Sequence, residues 1–136
     1  MMTTRNKITR RLAVITVLLF FSFTNGFTEK YTSKFDSIDI DEILNNERLL
    51  KNYMNCLMER GPCTTEGSDL KRILPEALEL DCAKCTDIQK EKANKVIMYL
   101  AKNKKPMWKE LEEKYDTDGK YRIKYREKYG VDLENI

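Results

Sequence analysis

The sequence predicts an all-α domain, a compact bundle of about six amphipathic helices, on three observations. Apolar residues recur at three- and four-residue spacing in successive stretches of the chain. Two of those stretches are preceded by a capping-box signature, Asp39 with Glu42 and Thr86 with Gln89. No stretch shows the strict apolar–polar alternation of a half-buried strand.

The elements follow in order. Residues 27–36 have no sustained period and read as an extended arm with aromatic contacts at Tyr31 and Phe35. The first helix opens at Asp39, carries Ile40, Ile43 and Leu44, and breaks at Asn45-Asn46. The second carries a wide stripe of Leu49, Leu50, Tyr53, Met54, Leu57 and Met58, and Gly61-Pro62 stops it. After a turn over residues 64–67, Ser68 is read as the cap of a third helix bearing Leu70, Ile73, Leu74, Ala77 and Leu78. Pro75 lies within that pattern and is expected to kink it or end its first half, because its nitrogen cannot donate to the preceding turn.

The fourth helix, capped by Thr86, is expected to bury Ile88, Ala93, Val96, Ile97 and Leu100. Lys104-Lys105-Pro106 separates it from a fifth with Met107, Trp108, Leu111 and Tyr115. Asp116-Thr117-Asp118-Gly119 is a turn. It has the wrong glycine position and lacks the closing glutamate for a calcium loop. The last helix, residues 120–129, sets Tyr121, Tyr125 and Tyr129 on one face among Lys120, Arg122, Lys124, Arg126 and Lys128. It reads as a basic helix covering the core with its tyrosines, or as a lid whose hydroxyls meet a ligand's polar end.

Residues 1–26 contain no acid, open with Arg5, Lys7, Arg10 and Arg11, and continue into an apolar run and the small residues Thr24 and Gly26. This is the order of a secretory signal peptide, cut ahead of Phe27. The run falls short of the roughly 20 residues a membrane span needs, so no stable membrane insertion is expected. The mature domain is therefore residues 27–136. Of 25 basic residues, four lie in the leader, leaving 21 against 22 acids. A near-neutral secreted chain is a poor partner for nucleic acid.

Four cysteines stand in the pattern C-x6-C-x18-C-x2-C: Cys56, Cys63, Cys82 and Cys85. The six-residue gap fits the short knuckles of zinc sites badly, and the chain has no histidine, so no metal is expected. Secretion favours disulfides. Counting alone leaves three pairings open. Catalysis is not expected either. The commonest general base is missing, and no phosphate loop or nucleophile elbow appears. The acids sit at caps and helix faces, where Glu91 with Lys95 and Glu110 with Lys114 read as i,i+4 surface pairs. No cofactor is implied. Methionines 54, 58, 98 and 107 offer soft, adaptable apolar surface.

Taken as an ordered set, these residues resemble the insect chemosensory proteins. The resemblance rests on Lys51-Asn52-Tyr53, Gly61-Pro62-Cys63 and Cys82-Ala83-Lys84-Cys85. It extends through Asp39-Ile40-Asp41-Glu42-Ile43-Leu44, Leu74-Pro75-Glu76-Ala77-Leu78 and Trp108-Lys109-Glu110-Leu111, and ends near Tyr121-Arg122-Ile123-Lys124-Tyr125. It implies neighbour disulfides, Cys56–Cys63 and Cys82–Cys85, and a hydrophobic channel for long-chain lipids, pheromone components or other apolar semiochemicals. Lining falls to Tyr53, Met54 and Leu57, to Leu70, Ile73 and Leu74, to Val96 and Leu100, and to Tyr121 and Tyr125. Phe35 stands where many members carry tyrosine, and residues 130–136 depart from the pattern and are assigned nothing. The reading is a secreted, monomeric carrier of small hydrophobic ligands. The alternative is a secreted interaction or developmental factor with a filled core and no small-molecule ligand.

Overall fold

The computed structural model describes residues 29–136. The signal-peptide reading of residues 1–26 and the cut before Phe27 lie outside them. The described residues form a 3-10 turn, Ser33–Ser37, and six α-helices: α1 Ile40–Asn45, α2 Glu47–Leu57, α3 Thr65–Glu79, α4 Asp87–Asn103, α5 Lys105–Tyr115 and α6 Lys120–Tyr129. No strand occurs among them.

The helix starts follow from side chains that satisfy the first free N–H groups. Asp39 accepts from the Glu42 N–H at 3.0 Å to open α1, although only this half of the expected capping box forms. Asn46 ends α1 and begins α2, its Oδ1 accepting from the N–H groups of Arg48 and Leu49. At α4 the box is complete. Thr86 Oγ1 accepts from the Gln89 N–H at 3.1 Å, and Gln89 Oε1 accepts from the Thr86 N–H at 3.1 Å.

Helix α3 departs from expectation. Its cap is Thr64, not Ser68, and residues 65–67 are its first turn rather than a loop. Buried Gly67 lets this first turn lie close against the disulfide: a Cβ there would stand 3.2 Å from the Cys56 sulfur, tighter than an ordinary contact. Pro75 does not end α3, which runs on to Glu79 with the proline on its exposed side.

The core is small. Leu44, Leu50 and Leu100 meet at its centre, with Ile40, Val96, Tyr99, Met107, Trp108 and Leu111 packed around them. This joins α1, α2, α4 and α5. Helix α3 lies along α2, and the 3-10 turn lies on α4. On α4, Ile88 is 47% exposed and Ala93 is also exposed, against expectation. Both precede the stretch that reaches the core, and the arm occupies the first turns of α4 through polar contacts instead. Asp36 accepts from Thr86 Oγ1 and from Gln89 Nε2 at 2.9 Å, while Lys92 donates to the Asp36 carbonyl.

Two disulfides, Cys56–Cys63 and Cys82–Cys85, brace the corners on either side of α3. At the second, Asp81 and Cys82 both hold left-handed backbone, with φ of 49° and 60°. The bridge spans this reversal. The expected i,i+4 pairs on α4 and α5 do not form. Lys95 instead binds Asp41 at 2.6 Å, Glu110 binds Arg60 at 2.8 Å, and Lys114 binds Glu59 at 2.9 Å. Each partner lies on or beside another helix, so these surface charges tie elements together.

Thr86 both caps α4 and donates to Asp36, so Thr86→Ala is expected to cost about 1–2 kcal/mol in urea unfolding. A loss under about 0.3 kcal/mol would show that the cap is redundant. Each bridge closes a short loop, for which chain entropy gives roughly 2 kcal/mol. Reduction should therefore lower the unfolding midpoint yet leave most helical circular dichroism in place. Collapse of the helical signal on reduction would contradict the packing described.

Candidate functional site

The ten residues expected to line a channel fall into three environments. Met54, Leu57 and Leu100 are buried, and Leu100 is part of the closed core at 2% exposure. Tyr53, Ile73, Leu74, Val96, Tyr121 and Tyr125 are half-buried on their helices. Leu70 is exposed at 37%. The structure brings Val96 and Leu100 together with Trp108 and Met107. It also sets the Tyr53 ring against the start of α3, with its edge 3.6 Å from the position a Gly67 Cβ would take.

Helix α6 is placed by polar groups more than by packing. None of its residues is buried, and Ile123 and Tyr129 are 47% and 41% exposed. Tyr125 and Tyr129 lean on each other with ring centroids 4.6 Å apart, so the tyrosine stripe does not close over the core as a unit. Glu79, the last residue of α3, accepts from Lys120 Nζ at 2.7 Å and from the Tyr121 hydroxyl at 2.8 Å. Asp81 binds Lys128 at 2.8 Å. These hydrogen bonds, that from Lys120 first, hold the Glu79 carboxyl below its usual range. The bond to Glu79 and the loss of water raise the Tyr121 phenol. Burial raises those of Tyr125 and Tyr115.

The turn before α6 carries a junction that sequence reasoning missed. Asp116, buried at 7% exposure, accepts from the N–H groups of Tyr121 and Arg122 and from Arg122 Nε at 3.0 Å. Gly119 supplies the left-handed residue, φ 74°, that turns the chain into α6. Arg122 also reaches Glu112 on α5 at 3.4 Å and Glu134 in the tail at 2.6 Å. The tail, assigned nothing from sequence, buries Leu133 to 6%. An acid, a glycine and a basic residue in this order are common, so no local signal marks the clasp.

Two surface depressions flank this junction. One, of about 360 Å³, is lined by Tyr115, Thr117, Asp118, Lys120 and Tyr121. The other, of about 200 Å³, lies between the start of α6 and the tail, with Ile123 and Leu133 among its walls. Tyr121 is the one expected lining residue on either. On α5, Trp108 Nε1 and Glu112 Oε1 are buried without a hydrogen-bond partner. Each such atom costs about 1–3 kcal/mol. From the sequence Trp108 reads only as a packing residue, and no local pattern marks Glu112.

Among the described residues, no group of three or more Cys, Asp or Glu side chains is arranged to hold a metal, and no helix is long and apolar enough to cross a membrane. A small helical bundle with disulfide-braced corners, a modest core and half-covered apolar faces belongs to the class of extracellular helical binding proteins. Residues 31–123 match the insect pheromone-binding family, A10/OS-D, and the chain belongs to that family. It is 49% identical to ejaculatory bulb-specific protein 3 of Drosophila melanogaster over 98 residues, 72% of this chain and 78% of that one. It is 46% identical to allergen Tha p 1 of Thaumetopoea pityocampa over 74% of this chain and 79% of the other. Among solved structures, a chemosensory protein in complex with bromo-dodecanol shares 50% identity with a TM-score of 0.69, covering 73% of this chain and 99% of that one. Antennal chemosensory protein A6 of the moth Mamestra brassicae shares 49% identity with a TM-score of 0.59, covering 67% and 89%. Members of the family are secreted and non-catalytic, and this protein is extracellular.

Acid should loosen α6 first. Glu79 has a depressed pKa, so its contribution is fully present above the ordinary 4.5 and fades as pH falls through the lower folded value. Its partners Lys120 and Tyr121, both raised by their hydrogen bonds to Glu79, stay protonated throughout this range. Amide exchange in α6, corrected for intrinsic rates, should be steady from about pH 7 to 5 and rise below about 4.5, while α4 stays protected. Simultaneous loss of protection in both helices would refute the separate anchoring of α6.

Proposed function

We propose that the protein is a secreted carrier that takes small hydrophobic molecules, such as long-chain lipids or semiochemicals, between its helices. The observation that supports this most is the half-covered state of Tyr53, Ile73, Leu74, Val96, Tyr121 and Tyr125. A domain that simply filled its core would bury these side chains, because each aliphatic one among them contributes about 1.5–3 kcal/mol on full burial. A relative at 50% identity was solved with bromo-dodecanol bound, which supports an aliphatic ligand. In this reading residues 1–26 are the leader and residues 27–136 the working domain.

The mechanism needs helices that can part. Both disulfides join close neighbours in sequence and leave α4, α5 and α6 without any covalent tie to another helix. Met54, Met58, Met98 and Met107 can re-pack around chains of different length. Helix α6, held at Glu79 and Asp81, is the adjustable cover. Tyr53 and Tyr125 stand nearest the ligand, with Met54, Leu57, Leu70, Ile73, Leu74, Val96, Leu100 and Tyr121 as the further wall. Ligand entry then moves α3 and α6 away from the fixed wall that Leu100 and Met54 close in the free protein.

A displaceable neutral fluorescent probe, N-phenyl-1-naphthylamine, should bind saturably at micromolar concentration. Truncation before Lys120 should weaken binding several-fold with α1–α5 still folded. Tyr53→Ala should weaken it more than Tyr129→Ala, since Tyr129 is 41% exposed. Absence of saturable binding would favour the secreted interaction factor with a filled core. Unchanged affinity after both Tyr53→Ala and the truncation would remove the lid.

A further inference from the structure

We propose that Trp108 and Glu112 form a hydroxyl-recognising subsite, which makes this carrier selective for long-chain primary alcohols over the matching esters, aldehydes and free acids. The inference rests on the carrier reading above and adds the polar end of the ligand to it. Trp108 Nε1 is a donor and Glu112 Oε1 an acceptor, both buried and both without a partner among the described residues. They stand four residues apart on α5, so their side chains are neighbours on one face. Trp108 packs against the Leu44, Leu50 and Leu100 cluster, as Val96 also does. A ligand head held here would send its chain along residues already assigned to the wall.

The chemistry of the pair selects the head group. An indole N–H only donates, and an ionised carboxylate only accepts. One group that can accept the first and donate to the second satisfies both, and a hydroxyl does so. An acetate ester or an aldehyde can accept from Trp108 but has no hydrogen for Glu112, which stays unpaired. A fatty carboxylate brings like charge to Glu112. The other oxygen of Glu112, Oε2, lies 3.4 Å from Arg122 NH1, and Arg122 is also bound by Asp116 and Glu134. This contact occupies Oε2 and fixes which oxygen is left to accept. It also couples the subsite to α6, which carries Arg122.

The test is competition against a bound neutral fluorescent probe, N-phenyl-1-naphthylamine, on the oxidised secreted protein near pH 7. The competitors are dodecan-1-ol, dodecyl acetate, dodecanal and dodecanoic acid. The alcohol is expected to displace the probe at roughly tenfold lower concentration than the ester or aldehyde, as suits one hydrogen bond to a charged group. The acid is expected to be weakest. Trp108→Phe and Glu112→Leu should each bring the alcohol to the level of the ester. Glu112→Gln should keep most of the alcohol preference through its amide oxygen and should improve the acid. Circular dichroism of each variant checks its fold, and Glu112→Gln gives a readout that global damage would not produce. Equal displacement by alcohol and ester in the unaltered protein, or a preference that survives both Trp108→Phe and Glu112→Leu, would overturn the subsite alone. No displacement by any of the four would overturn the carrier reading along with it.

Discussion

The contact of Leu100 with Leu44 and Leu50 is the interaction on which the architecture turns. It joins α4 to the α1–α2 hairpin, and α5 completes it through Met107, Trp108 and Leu111. Beyond this nucleus Met54, Leu57, Ala101 and Leu133 are also buried, while the side chains packed against the nucleus and most other apolar ones are only partly covered. The molecule thus has a small closed core and a wider apolar margin. That division follows from helix placement: α3 approaches α2, the arm occupies the start of α4, and α6 is tied to α3 and α5 by polar groups at Glu79 and Glu112.

Closure of the margin depends on charge at the rim. Lys95 with Asp41, Arg60 with Glu110, Lys114 with Glu59, and Lys120 with Glu79 each span two elements. Exposed pairs of this kind contribute little individually, up to about 1 kcal/mol, and they re-form easily after a displacement. Burial would have held the helices more firmly but would have filled the space between them. Two short disulfides add rigidity at the ends of α3 without fixing any helix–helix distance. The result suits a protein that must hold its fold while its interior changes volume.

Much of this was legible because it is local. Helical periodicity located all six helices, and the Thr86–Gln89 box and the Asp116–Gly119 turn stand where the residues predict them. The misreadings share one physical origin, a contact made at long range. Ser68 and Thr64 are both capping types, and the structure uses Thr64, whose hydroxyl accepts from Gly67 N–H beside the Cys56 sulfur. Glu110 and Lys114 have ideal i,i+4 spacing, yet Arg60 and Glu59 across the interface compete for them successfully. Ile88 fits the apolar phase of α4 but precedes the core. The clasp of Asp116, Arg122 and Glu134, and the burial of Leu133, depend on a tail whose residues carry no periodic signal. Of the channel residues, the helical phase was readable, but the division between closed core and half-covered margin was not. Covering depends on the distance between helices, which no single pattern encodes.

A fixed nucleus thus coexists with a margin able to open, and amide hydrogen exchange with and without saturating dodecan-1-ol separates the two, residue by residue. Protection should rise in α3 and α6 on binding, with the amides around Leu44, Leu50 and Leu100 unchanged. Equal protection changes across all six helices, or none in α3 and α6, would contradict it.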